Sequence, residues 1–146
     1  MKKVEDALSY FNEGFSCSQA VVSAYAEEFG IDKETALKLA GAFGGGMAQM
    51  GETCGAVTGA LMVLGLKYGR INTKDFETKE KLYEAVKDFV EKFKLQNGTI
   101  VCRELLGYDI STQEGRDKAT QQNLFKTICP KLVALSVEYL EEVVDR

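Results

Sequence analysis

Glycine divides this chain into short segments that each have the spacing of an amphipathic helix. Apolar residues recur three or four positions apart, as at Val4, Leu8 and Phe11, and no stretch alternates polar and apolar residues as a strand does. The chain contains a single proline. The pattern therefore predicts an all-α, single-domain bundle of about seven to eight helices over residues 1–146. After a first helix that stops at Gly14, the predicted segments are 16–29, 33–43, 54–68, 75–95, 99–106, 111–125 and 130–144.

Two of the four cysteines follow residues that are typical helix caps. Ser16 and Gln19 form a capping box, in which each side chain pairs with the backbone of the other, so Cys17 is predicted to be the first helical residue. Thr53 precedes Cys54 in the same way and is expected to cap the next apolar helix. A further capping box is predicted at 111–114, with Ser111 as the cap.

The other two cysteines also lie at predicted helix starts. Thr99 is expected to cap a short helix in which Cys102 is the third residue. Pro130 suits the first position of the last helix, which makes Cys129 the expected cap. A helix start exposes unpaired N–H groups and partial positive charge, which lower the pKa of a cysteine. The four cysteines are therefore the candidate redox thiols; the alternative is that each is a small buried apolar residue.

The composition limits the partners and the compartment. The 146 residues are 45% hydrophobic and 27% charged, with a net charge of −4 and both signs interleaved. There is no basic stripe for nucleic acid, and residues 1–6 turn acidic at once with no apolar core of the signal-peptide type. The longest apolar stretch, 56–66, is too short to cross a membrane. We therefore expect a cytoplasmic protein with no nucleic-acid or membrane partner. In that reducing compartment, four cysteines favour metal binding or redox chemistry over structural disulfides.

The absence of histidine narrows the chemistry further. Zinc hydrolases with histidine ligands, serine triads and cysteine–histidine nucleophiles all need that side chain. Three kinds of site remain: an iron–sulfur cluster, dithiol–disulfide exchange, and a structural zinc. Successive cysteines are 37, 48 and 27 residues apart, so folding would have to assemble any shared site. The metal ligands would then be Cys17, Cys54, Cys102 and Cys129; a fourth alternative is that the cysteines share no site.

Two glycines lie inside the predicted helix 54–68. Gly55 and Gly59 are four residues apart, so they share a helix face and allow another backbone to approach closely. Glycine inside a helix costs about 1 kcal/mol relative to alanine, so two of them need a reason. One reason is close helix packing alone. The other is that both are cofactor-binding positions, which leave room beside Cys54 for a bulky group such as a metal cluster.

A glycine-rich loop, 44–51, precedes the same helix. It is not a P-loop because no lysine follows it, and it is not a dinucleotide-binding loop because no strand precedes it. Its backbone N–H groups could still donate hydrogen bonds to an anion or to cluster sulfides.

The order of the cysteines around a glycine-rich centre resembles the C_GCAxxG_C_C family of redox-active proteins. Cys17 matches the first cysteine of that pattern, Cys54 the central one, and Cys102 and Cys129 the last two. In the segment 53–59 the glycine follows the cysteine, whereas it precedes it in the family pattern. The resemblance implies redox activity without an established reaction, and similar segments in split-Soret cytochromes suggest iron–sulfur binding. The implied partner is a redox protein or a small reductant, and a homodimer is compatible with a small helical protein.

Overall fold

The structure, a computed structural model, describes residues 2–144 and confirms the prediction of a single all-α domain. Its helices are α1 Lys2–Glu13, α2 Cys17–Ala26, α3 Lys33–Ala40, α4 Gly55–Tyr68, α5 Phe76–Asn97, α6 Cys102–Leu106, α7 Gln113–Gln121, α8 Leu124–Thr127 and α9 Cys129–Val144. Those residues contain no strand, only an isolated antiparallel bridge between Thr53 and Val101. No helix within 2–144 is both long enough and apolar enough to cross a membrane.

Local sequence signals begin and end most of these helices. The capping box at α2 is present: the Ser16 N–H donates to Gln19 Oε1 over 3.0 Å, and the Gln19 N–H donates to Ser16 Oγ over 3.4 Å. Asp32 caps α3 by accepting a hydrogen bond of 3.0 Å from the Thr35 N–H. Glycines in the left-handed conformation follow several helices, with φ of 73°, 85° and 79° at Gly30, Gly98 and Gly107.

Several helix boundaries differ from the prediction. The short 3₁₀ turns Glu27–Phe29 and Gly41–Phe43 replace the ends of the predicted helices 16–29 and 33–43. The predicted capping box at 111–114 is wrong by one residue, because the side chain of Thr112, rather than that of Ser111, accepts the capping hydrogen bond of α7. The predicted helix 111–125 then breaks at Asn123, whose φ of 60° is left-handed and cannot continue a right-handed helix.

Helix α2 is the centre of the core. Eight of its ten residues are buried, and it packs against α1, α3, α4 and α9. Two buried serines connect elements through their hydroxyl groups: Ser18 donates to the Ala40 carbonyl over 2.9 Å, and Ser136 donates to the Ala56 carbonyl over 2.7 Å. Because these bonds lie near the beginnings of α2 and α4, they fix the positions from which those helices start.

Candidate functional site

All four cysteines line one cavity of about 480 Å³. Cys17 begins α2, Cys102 begins α6 and Cys129 begins α9. Cys54 immediately precedes α4. Each cysteine is a free thiol; Cys17 is partly exposed and the other three are buried. Four helix starts from distant parts of the chain therefore meet around one space.

The structure places Cys17 at its predicted position and shifts Cys54 by one residue. Cys17 is the first residue of α2, as the capping box requires. Cys54, rather than Thr53, is the N-terminal capping residue of α4, and its carbonyl accepts hydrogen bonds from Val57 and Thr58 over 2.9 and 3.1 Å. The prediction for Thr53 is wrong because that residue is held in the bridge to Val101, just before α6.

The starts of α6 and α9 also differ from the prediction by one or two residues. Cys102 is the first residue of α6 and not the third, because Val101 is still extended in the bridge. Thr99 is not the cap of α6, because Val101 takes that position. The Thr99 hydroxyl instead accepts a hydrogen bond of 3.0 Å from the Val101 N–H. Cys129 is the first residue of α9 and not its cap, since Ile128 already has helical angles, φ −90° and ψ −52°.

A short antiparallel pairing of backbone holds Cys54 beside Cys102. The Cys54 N–H donates to the Ile100 carbonyl over 2.7 Å, and the Cys102 N–H donates to the Glu52 carbonyl over 2.6 Å. In such a pairing Cys54 lies opposite Ile100, so Cys102 is its diagonal neighbour on the same face. The pairing therefore directs both side chains to one side, where both line the cavity.

The glycine-rich loop forms another wall of the cavity, in an unusual conformation. Residues 45–49 are consecutively left-handed, with φ of 65°, 69°, 67°, 50° and 63°. Backbone hydrogen bonds hold the loop, among them Ala48 N–H to Ala42 carbonyl at 2.8 Å and Glu52 N–H to Gly46 carbonyl at 2.9 Å. Three of the five residues are not glycine, and each costs about 1–2 kcal/mol in this conformation. Strained backbone of this kind is concentrated at functional sites.

The two glycines of α4 have different surroundings. A Cβ on Gly55 would lie 3.1 Å from the Cβ of Cys17, and Gly55 lines the cavity. A Cβ on Gly59 would lie 3.0 Å from the Ser18 carbonyl oxygen and 3.1 Å from the Cβ of Val21. Gly59 is not among the residues that line the cavity, and its contacts are those of helix packing between α4 and α2.

Burial governs the acidity of two of the thiols. It raises the pKa of Cys54 to about 11, although the backbone N–H groups of Ala56 and Val57 act in the opposite direction. Burial likewise raises the pKa of Cys102 to about 12, and negative charge on Cys54 and Cys129 adds to this shift. The expectation that helix starts lower the pKa is therefore wrong for both residues, because loss of water outweighs the helix dipole.

Cys17 and Cys129 form a pair. A hydrogen bond between their side chains raises the pKa of Cys17, and burial adds to that rise. The same hydrogen bond lowers the pKa of Cys129. Cys129 is thus the one cysteine of the four with a lowered pKa, and the first cause is a neighbouring thiol rather than the helix start.

We expect the reduced, metal-free protein to lose stability as the pH rises from 9 towards 11, the interval that separates the unfolded and folded pKa of Cys54. In that interval the unfolded chain has released the Cys54 proton and the folded protein has kept it, so Cys54 alone lowers the free energy of unfolding by about 1.4 kcal/mol per pH unit, and the raised pKa values of Cys17 and Cys102 add to the decline. Urea unfolding at a series of pH values measures this slope. Cys54→Ala is the control and should decline less steeply by about that amount; equal slopes would contradict the assignment.

Comparison with known proteins assigns the chain to one family. A family model described as "Putative redox-active protein (C_GCAxxG_C_C)" matches residues 15–143, a range that contains all four cysteines. The chain belongs to this family. No curated protein and no solved structure matches it. The matched range contains the four cysteines that line the cavity.

The cysteine sulfurs around the cavity of this protein are of the type that binds iron–sulfur clusters. Four thiols converge without any histidine, and cysteine thiolates are the usual ligands of such clusters. A Cβ on Gly46 would lie 2.7 Å from the Cβ of Cys102, so the absence of side chains at Gly46 and Gly55 keeps the surroundings of two cysteines open. Within residues 2–144, no three or more cysteine, aspartate or glutamate side chains are grouped closely enough to hold a metal ion. Metal binding therefore stays a prediction.

Sequence patterns did not assign a role in the site to the other side chains that line the cavity. Arg116 and Gln49 are polar, and the apolar part is formed by Phe11, Leu105, Leu106, Ile110, Phe125 and Leu132. Arg116 belongs to the polar helix α7, in which several charged side chains look equivalent along the sequence. Only the packing of α7 against the rest of the fold places Arg116 at the cavity. No feature of the local sequence distinguishes it from the other charged residues of that helix.

Proposed function

We propose that this protein is a redox protein whose four cysteines bind an iron–sulfur cluster for electron transfer. The observation that carries the proposal is the convergence of Cys17, Cys54, Cys102 and Cys129 on one cavity. Cysteine thiolates drawn from separate segments are the kind of ligand that a cluster uses, and membership of a redox-active family is consistent with that use. The alternative of four cysteines used only for packing does not explain why the thiols lie around an open space.

The chain's own residues would hold and shield the cluster in distinct ways. Cys54 and Cys102 are fixed by the backbone pairing between 52–54 and 100–102, while Cys17 and Cys129 are fixed by the helices α2 and α9 that they begin. N–H groups at these helix starts favour negative charge on bound thiolates. The apolar side chains of the cavity reduce access of water. When bound, a cluster supplies iron cations that neutralise the thiolates and a centre that accepts and releases single electrons.

The test is purification and reconstitution without oxygen, followed by analysis of iron and acid-labile sulfide. We expect the wild-type protein to contain both and Cys54→Ser to contain neither. Gly59→Ala is the control, because it disturbs helix packing outside the cavity, at a cost of about 1–3 kcal/mol, and should keep the cluster. Wild-type protein without iron and sulfide after reconstitution would refute the proposal, and zinc without sulfide would support the structural-zinc alternative.

A second candidate function, thiol–disulfide exchange, is favoured by the hydrogen bond between Cys17 and Cys129. The two side chains are hydrogen-bonded to each other and both line the cavity, which is where a small disulfide oxidant would have to enter to reach them. The two thiols would form one disulfide and release two protons and two electrons, which reduce a small disulfide to two thiols. Alkylation followed by mass spectrometry should then show two fewer free thiols after treatment with oxidised glutathione, with Cys17 linked to Cys129. A different pairing, or no change in the thiol count, would exclude this function.

Three further parts of the proposal rest on the sequence. They are a location in the cytoplasm, an electron partner that is a redox protein or a small reductant, and a homodimer as the assembly. Fractionation of cells and size-exclusion chromatography of the purified protein test the first and the last.

A further inference from the structure

Arg116 is the one charged residue among those that line the cavity within residues 2–144. Its guanidinium donates to the Ile110 carbonyl over 3.0 Å and to Gln113 Oε1 over 3.0 Å. It makes no ion pair with any carboxylate in that part of the chain. Since a guanidinium has five N–H donors, these two hydrogen bonds leave most of them free. A positive charge without a carboxylate partner thus borders a cavity that is otherwise largely apolar.

The loop on the cavity wall offers further donors. Gly45 and Gly46 line the cavity, and neither N–H group donates to an acceptor within residues 2–144. Their φ values are 65° and 69°. Adjacent backbone N–H groups in a turn of this kind form an anion-binding concavity. Two independent features, a side-chain cation and a pair of backbone donors, therefore favour a negatively charged occupant.

The remaining surface of the cavity limits the kind of anion. Phe11, Leu105 and Phe125 are among the apolar side chains that line it, and no aspartate or glutamate of the described chain does. An inorganic oxyanion gains nothing from contact with these side chains, whereas an apolar body gains from burial there. A guanidinium pairs with a carboxylate through two parallel hydrogen bonds. A volume of about 480 Å³ is in the range of small-molecule sites.

We propose that the cavity binds a small organic carboxylate with an apolar body, and that Arg116 is the residue that recognises its carboxylate group. A reaction between this carboxylate and the redox centre rests on the proposed function. Binding of the carboxylate does not, because Arg116, the glycine loop and the apolar side chains are present in the protein without metal.

The test uses benzoate as the probe, with benzamide and sulfate for comparison, and isothermal titration calorimetry as the measurement. We expect benzoate to bind the reduced wild-type protein, and Arg116→Gln to weaken binding by about tenfold or more, since a charge-assisted pair is lost. Arg116→Lys should keep part of the affinity. Arg70→Gln is the matched control, because Arg70 is half-buried like Arg116, donates to the Thr73 carbonyl and lies outside the cavity.

The comparison of probes on the wild-type protein does not depend on whether a variant folds. Benzoate should bind more tightly than benzamide, which has the same shape without the charge, and more tightly than sulfate. Equal binding of benzoate and benzamide, equal binding to wild type and Arg116→Gln, or preference for sulfate would each overturn the proposal. If benzoate binds and iron–sulfide reconstitution fails, only the proposed function is refuted. If the cluster forms and benzoate does not bind, only this inference is refuted.

Discussion

Gly46→Ala is expected to destabilise the protein by about 2–5 kcal/mol and to abolish the function of the cavity. A Cβ at this position would lie 2.6 Å from the Glu52 nitrogen and 2.7 Å from the Cβ of Cys102. Neither neighbour can move freely, because Glu52 and Cys102 are joined in the backbone pairing that also positions Cys54. Relief of the clash therefore requires Cys102 to leave its place, and we expect loss of iron and sulfide or of any thiol redox couple.

The variant Gly98→Ala separates the cost of placing alanine in left-handed backbone from the cost of a clash with Cys102 and Glu52. Gly98 has the same left-handed type of backbone, with φ 85°, and nothing lies within 4 Å of the position that its Cβ would occupy at the end of α5. The Gly98→Ala variant should therefore lose only the stability that the left-handed backbone costs alanine, about 1–2 kcal/mol, and keep the chemistry of the cavity. Urea unfolding and iron analysis of both variants measure the difference. Equal loss of stability in the two variants would show that contact with Cys102 has no part in the effect.

The predictable part of this fold is the part that local sequence determines. The capping box at Ser16 needs only two side chains three residues apart, and it places Cys17 at the first position of α2 as predicted. Apolar spacing likewise predicts the long helix α5 within a few residues of its observed bounds. The sequence also indicates a shared site for the four cysteines, because each lies near a helix start, where thiol chemistry benefits from N–H donors.

The features that escaped prediction depend on residues distant in the sequence. The pairing of Thr53 with Val101 shifts the starts of α4 and α6, and its only local trace is the β-branched character of Thr53, Ile100 and Val101. The direction of the pKa shift of Cys54 could not be deduced from its position at a helix start, because burial by other helices decides that direction. The left-handed residues 47–49 are not glycines, so no residue type marks their conformation in advance.

The variant in which all four cysteines are replaced by alanine separates the chemistry of the cavity from the fold. We expect it to stay helical and monodisperse, because the main core consists of apolar residues of α2, α4, α5 and α9. Cys54 belongs to the main core and Cys102 and Cys129 to a second buried cluster, but each cysteine also borders the open space of the cavity. Replacement by alanine removes one sulfur atom and should cost about 1 kcal/mol at each position. The variant should bind no iron or sulfide, and reductant should leave its thermal unfolding temperature unchanged.

Circular dichroism with and without reductant, on the wild type and on this variant, measures the outcome. In the wild type we expect metal content or a dependence of the unfolding temperature on reductant, since at least one of the two redox chemistries needs the thiols. If the variant unfolds and the wild type shows neither property, then the cysteines serve packing alone. The cavity would in that case be a feature of helix geometry, and its convergent thiols would have no role in electron transfer.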